Sequence, residues 1–163
     1  MTETFADPFH DHDHSSCAAT VLRRAEEQTR AEGVRLTPVR RRALEILLES
    51  HRAMGAYEVL ERLAEDGYGK QPPVAYRALD FLVEQGFAHR VQRLNAYAAC
   101  LSAERDHAPV FLICQGCEQV AEADASALRG ALQDLAAQSE FTPERVTVEL
   151  LGLCARCRAK GQA

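Results

Sequence analysis

The stretch PPVAYRALDFLVEQGFAHRVQRLNAYAAC, residues 72–100, decides the fold. Pro72 and Pro73 open a helix, because proline's fixed φ suits a first turn where its missing N–H has no partner to lose. Leu79, Leu82 and Val83 then recur at helical spacing as an inward face, with Arg77, Asp80 and Glu84 outward, until Gly86 stops the helix. From Phe87 the apolar repeat changes from helical to strand-like, and Arg93-Leu94-Asn95-Ala96 reads as a loop, so a β-hairpin is predicted. That loop pairs Gln92 with Tyr97 and sets His89 opposite Cys100.

Toward the N-terminus the chain is helical. Ala18 to Glu32 reads as one helix, ended near Gly33. Thr37-Pro38 starts a second, with Val39, Ala43, Ile46 and Leu47 as its apolar stripe. A third runs from Tyr57 to Asp66 on Val59, Leu60, Leu63 and Ala64, and Gly67 and Gly69 end it. Helices followed by a hairpin predict a winged helix-turn-helix, residues 17–100. The polar FADPFHDHDHSS before it has no periodicity and reads as a mobile tail, with residues 1–16 outside the fold. Beyond the hairpin, residues 101–108 are polar and read as a hinge. A second domain, residues 109–163, is predicted from a strand at Val110–Cys114, a partner at Glu118–Ala123 and a strand at Arg145–Leu150. Between the last two lies a helix carrying Leu128, Ala131, Leu132 and Leu135. The expected class is α+β.

The chain has 163 residues, 47% apolar, and no apolar run reaches the ~18 residues of a membrane span. Its start lacks the basic and apolar segments of a secretory signal, so a soluble cytoplasmic protein without a membrane partner is expected. A net charge of −5 argues against indiscriminate coating of nucleic acid. Residues 37–94 hold nine basic and eight acidic side chains, the only part without an acidic excess, so any DNA contact must be local.

The cysteines carry the clearest chemistry. Cys114 and Cys117 form one C-x-x-C and Cys154 and Cys157 another, with 36 residues between the pairs. Two such turns close a tetrahedral zinc site, whose four thiolates leave no open position for catalysis, so the site is expected to be structural. A thiol switch is the alternative use of the same pairs. His89 and Cys100 on the hairpin, His107 in the hinge and Glu122 after the first C-x-x-C compose a second, mixed donor set that suits zinc better than iron. The competing reading makes Cys100 a small core residue and both histidines surface residues. Arg40, Arg41 and Arg42 at the start of the second helix, and Arg90 and Arg93 on the hairpin, are candidates for phosphate contact.

From Leu36 to Cys157 the sequence resembles the ferric uptake regulator superfamily of metal-dependent repressors, and within it the zinc uptake regulator branch. The resemblance rests on LTPVRRRALEIL, PPVAYRALDFLVEQGFAHRV, NAYAAC, FLICQGCEQV and GLCARC, in the family's order. The iron and peroxide branches usually carry a His-rich run before the first C-x-x-C, where this chain has RDHAPVFLIC with His107 alone. The resemblance implies a homodimer that binds palindromic operator DNA, with a C-terminal dimerisation domain. It implies about two zinc ions per subunit: one structural at Cys114, Cys117, Cys154 and Cys157, one regulatory at His89, Cys100, His107 and Glu122. Tyr76 and Arg77 match the family's recognition-helix residues. The function implied is that of a zinc-responsive repressor of zinc-uptake genes, not an enzyme and without a small-molecule substrate; a sensor of iron or peroxide is the alternative on the same scaffold.

Overall fold

The computed structural model describes Phe9 and residues 14–49, 52–102, 109–123, 126–144 and 146–161. The N-terminal part comprises α1 (His14–Ala31), α2 (Pro38–Leu48), α3 (Ala56–Glu65), α4 (Pro72–Glu84) and the hairpin β1 (Ala88–Val91) and β2 (Ala96–Ala99). The C-terminal part comprises β3 (Val110–Cys114), β4 (Val120–Ala123), α5 (Ser126–Gln138), β5 (Val148–Gly152) and α6 (Ala155–Ala159). This is a winged helix joined to an α/β domain, the α+β class that the sequence predicts.

Pro38 and Pro72 each stand in the first turn of their helices, α2 and α4. The apolar faces of α2, α3 and α4 meet in one core: Ala43, Leu44, Ile46 and Leu47 from α2, Val59 and Leu63 from α3, Ala75, Leu79 and Leu82 from α4. Each fully buried leucine among them contributes roughly 1.5–3 kcal/mol relative to exposure. Val83, expected inward, is only partly buried, and Ala75, Ala78 and Phe81 complete the face instead. Gly86, at φ 73°, ends α4 with its N–H on the Val83 carbonyl while the Phe87 N–H reaches Leu82. The chain therefore turns directly from α4 into the hairpin.

Three boundaries differ from the sequence reading. α1 begins at His14, inside the stretch expected to be tail, and the other residues before it, Phe9 apart, lie outside the described residues. The hairpin turn is Gln92–Asn95, not Arg93–Ala96, because Asn95 takes a left-handed conformation (φ 46°) and Val91 pairs with Ala96. His89 therefore faces Ala98 rather than Cys100. The last strand starts at Val148, leaving Val146 and Thr147 outside the ladder, and α6 follows it. The predicted hinge, 101–108, is described only at Leu101 and Ser102.

In the C-terminal sheet β3 is central, antiparallel to β4 and parallel to β5. One face of that sheet packs on the wing. Phe111, Ile113 and Val120 share a buried cluster with Val91 and Ala96 of the hairpin and with Ala53, and Arg52 bridges Gln119. The two parts are thus joined by apolar contact as well as by the chain.

Candidate metal centres and nucleic-acid interface

Cys114 ends β3 and Cys117 closes the turn after it, while Cys154 caps α6 and Cys157 lies within it. The parallel pairing of β3 with β5 brings Cys114 level with Gly152, two residues before the second pair. All four sulfurs lie within 4.8 Å of one another, and Cys117 Sγ is 3.9 Å from Cys154 Sγ. Zinc–sulfur bonds of about 2.3 Å give a tetrahedral edge of about 3.8 Å, so the spacing suits zinc. Backbone N–H groups aim at the sulfurs: Cys154 donates to Cys114 Sγ at 3.3 Å and Cys157 to Cys154 Sγ at 3.5 Å. Burial opposes the Cys114 thiolate, but the amides of Cys154, Cys117 and Gly116 outweigh it and bring its pKa down to about 6. Cys157 is pushed up to about 12 by burial and by the neighbouring thiols. A buried cluster in which one thiolate discourages the next is one that a divalent cation stabilises. Gly116 lets the turn pack closely on α6: a Cβ there would meet Cys157 Cβ and Sγ at 3.0 Å, and Cys157 would have to give way by a few tenths of an ångström.

The second cluster lies between wing and sheet. His89 Nε2 is 3.2 Å from Glu122 Oε1, and these two with Cys100 Sγ fall within 4.8 Å of one another. A tetrahedral N–O edge around zinc is about 3.3 Å. Glu122 is 5% exposed at its side chain and Cys100 is fully buried, so water does little for either. Burial, with the Glu122 charge adding to it, pushes the Cys100 thiol up to about 12. The His89 ring also stands edge-on to Phe111, centroids 5.6 Å apart. Arg24 of α1 donates to the carbonyls of Cys100 and Ser102, fixing the backbone as it leaves the wing. His107 lies outside the described residues. Imidazole, thiol and carboxylate brought together with little water are a costly set that zinc, which accepts all three, would offset.

Tyr76 and Arg77 occupy the first turns of α4 and are exposed, Tyr76 by 41%. Arg90 is exposed on the wing and donates to Asn95 Oδ1 at 2.7 Å. The α2 arginines are more engaged. Arg40 stacks on the Phe81 ring, 3.8 Å from its centroid, and donates to the Arg35 carbonyl. Arg41 pairs with Glu26 and Glu45, and Arg42 with Asp66, Glu45 and Glu49.

A winged helix packed on a sheet that carries a four-cysteine cluster, with candidate metal donors shared between them, defines the class of metal-binding, DNA-interacting proteins. A sequence model of the ferric uptake regulator family matches residues 31–151, and the chain belongs to that family. It is 38% identical over 138 residues to the zinc uptake regulation protein of Escherichia coli (strain K12), covering 84% of this chain and 81% of the relative. Among solved structures it is similar to a zinc uptake regulator complexed with zinc and DNA (TM-score 0.85, 35% identity, 90% of this chain and 98% of that one). It is also similar to XcZur, at TM-score 0.74 for the holo and 0.52 for the apo crystal structure; identity is 35% and coverage of this chain 88% in both.

Proposed function

We propose that this protein is a zinc-responsive transcriptional repressor, which binds palindromic operator DNA as a homodimer when zinc fills the interdomain site and so silences zinc-uptake genes. The carrying observation is the arrangement of the two domains. Identity to all three solved zinc regulators is 35%, yet the fit falls from 0.85 with the form complexed with zinc and DNA to 0.52 with apo XcZur. Sequence distance does not account for that spread, and the better fit to the zinc- and DNA-bound form supports the reading.

His89, Cys100 and Glu122, with His107 as fourth donor, hold the regulatory zinc, while Cys114, Cys117, Cys154 and Cys157 hold a structural one, about two ions per subunit. Residues 101–108 serve as the hinge between a DNA-binding domain ending at Cys100 and a dimerisation domain beginning at Pro109. Zinc favours the DNA-competent arrangement only by as much as it binds that arrangement more tightly. Tyr76 and Arg77 read the major groove, with Arg40 and Arg90 toward phosphates and Arg41 and Arg42 secondary because carboxylates already occupy them. The dimer forms through α5 and β5. Leu128, Leu135 and Leu150, the last on the sheet face away from the wing, are exposed, and among the described residues β5 is paired on one side only. Such an apolar face with an open strand edge fits a second copy.

The protein is a regulator and not an enzyme. It acts in the cytoplasm, where operators lie; no described helix is long and apolar enough to cross a membrane. The Cys100 thiol disfavours the iron and peroxide alternative, and the closed burial of the four-cysteine cluster disfavours a thiol switch. The test is operator binding by fluorescence anisotropy across buffered free zinc, with Cys100→Ser beside the wild type. Binding that rises with zinc and fails in the variant, while the variant keeps its four-cysteine metal, supports the reading. Binding that follows iron(II) and ignores zinc overturns it.

A further inference from the structure

Glu149 stands on β5, level with Phe111 on β3, which is level with Glu122 on β4. Residues in register across a sheet share a face, so Glu122, Phe111 and Glu149 form one row facing the wing. The Glu149 carboxylate accepts from the wing turn at both oxygens: the Gln92 N–H at 2.6 Å and the Arg93 N–H at 3.0 Å. These two amides open the hairpin turn, where the strand ladder no longer supplies acceptors.

The dimensions make one device of the row. Glu122 and Glu149 lie two strand spacings apart, about 9.6 Å. His89 and Gln92 lie three residues apart along an extended strand, about 10 Å. One carboxylate therefore meets β1 at His89, the other meets the turn that ends β1, and Phe111 fills the space between. We propose that Glu149 is a positioning residue for DNA binding: a latch, independent of metal, that holds the far end of the wing strand while the interdomain donors hold the near end. With only the near end held, non-directional apolar contacts of Val91 and Ala96 locate the far end of the wing strand; the two directed hydrogen bonds to Glu149 set its angle over the sheet. The inference rests on the zinc-responsive reading above and adds a second determinant of the same domain arrangement.

The experiment compares wild type, Glu149→Gln and Glu149→Ala in operator binding at saturating zinc, with Glu144→Gln, an exposed carboxylate on the same domain, as charge control. Removing a negative charge strengthens DNA binding by electrostatics alone. A loss of about 10-fold for Glu149→Gln, larger for Glu149→Ala and absent for Glu144→Gln, therefore runs against the charge effect and supports the latch. Apparent zinc affinity at the interdomain site falls with it, because both depend on the same arrangement, while the four-cysteine metal content stays that of the wild type. Glu149 variants that bind zinc and operator as the wild type does overturn it. Amide exchange gives a second reading that needs no DNA: the Gln92 and Arg93 amides exchange slowly in the zinc-loaded wild type and fast in Glu149→Gln. Equal exchange in the two proteins overturns the latch. A wild type that ignores zinc sinks the sensor reading, and the exchange result then judges the latch alone.

Discussion

If Cys100 is a ligand of zinc at the interdomain site, as proposed, binding there must displace the thiol proton. Burial and the Glu122 carboxylate lift the Cys100 thiol to about 12, so at pH 7 it is protonated by about five orders of magnitude. To serve as a ligand Cys100 must give up that proton, at a cost of about 7 kcal/mol at pH 7, taking 1.36 kcal/mol per unit. The cost falls as pH rises and vanishes only above the thiol's own pKa. Between pH 7 and 8.5 the site's zinc affinity should therefore rise about tenfold per unit, or about 30-fold in all, from this proton. The assay is competition with a chelator of known proton stoichiometry, on protein whose four-cysteine site is already filled. Calorimetry in two buffers of different ionisation enthalpy counts the same proton directly. Cys100→Ser should lose this slope along with most of the affinity. A wild-type affinity that stays flat over this range, with no proton released, would refute the assignment of Cys100 as a ligand.

Single contacts lead to further outcomes. Arg77→Ala should weaken operator binding by roughly 1–3 kcal/mol and relax sequence preference, read by competition between operator and scrambled DNA. Arg42→Ala should instead lower the melting temperature, on the order of 1 kcal/mol of stability, and leave the salt dependence of operator binding unchanged, because Asp66 and Glu49 already hold that side chain. Cys154→Ser removes a sulfur that accepts the Cys157 amide and caps α6, so it should lose one zinc per chain, read by elemental analysis of the purified protein. Leu150→Glu puts a charge on the open face of β5 and should shift the dimer toward monomer in sedimentation, with operator binding lost in parallel.

Much of this molecule is written in local pattern. The prolines at 38 and 72 and the leucine periods of α2 to α4 mark their helices because capping and burial act over a few residues. The hairpin shows how an error can be harmless. Asn95 in the left-handed region moves the turn, but the register sum changes by two, and an even shift keeps every side chain on its face. His89 and Cys100 therefore still meet the same donor, Glu122, although they do not pair. The helix at Ala155–Ala159 is illegible because five residues carry no period, and α5 reads as amphipathic although its apolar side is exposed in a single chain. Glu149 is out of reach for another reason: its partners lie more than fifty residues earlier, and an acid within a strand carries no signal of what it will hold.

The carboxylates that pair with Arg41, Arg42 and Arg62 bear on how such a protein would search a chromosome. With those cations neutralised and a net charge of −5, little counterion release is available on arbitrary sequence. A genome offers on the order of 10⁶ to 10⁹ such sites, and a strongly basic protein would be soaked up by them. This chain would stay largely in free solution, leaving each operator in exchange with nearly the whole pool of dimers. Occupancy of the operator would then report the metal supply with little distortion from the amount of DNA in the cell.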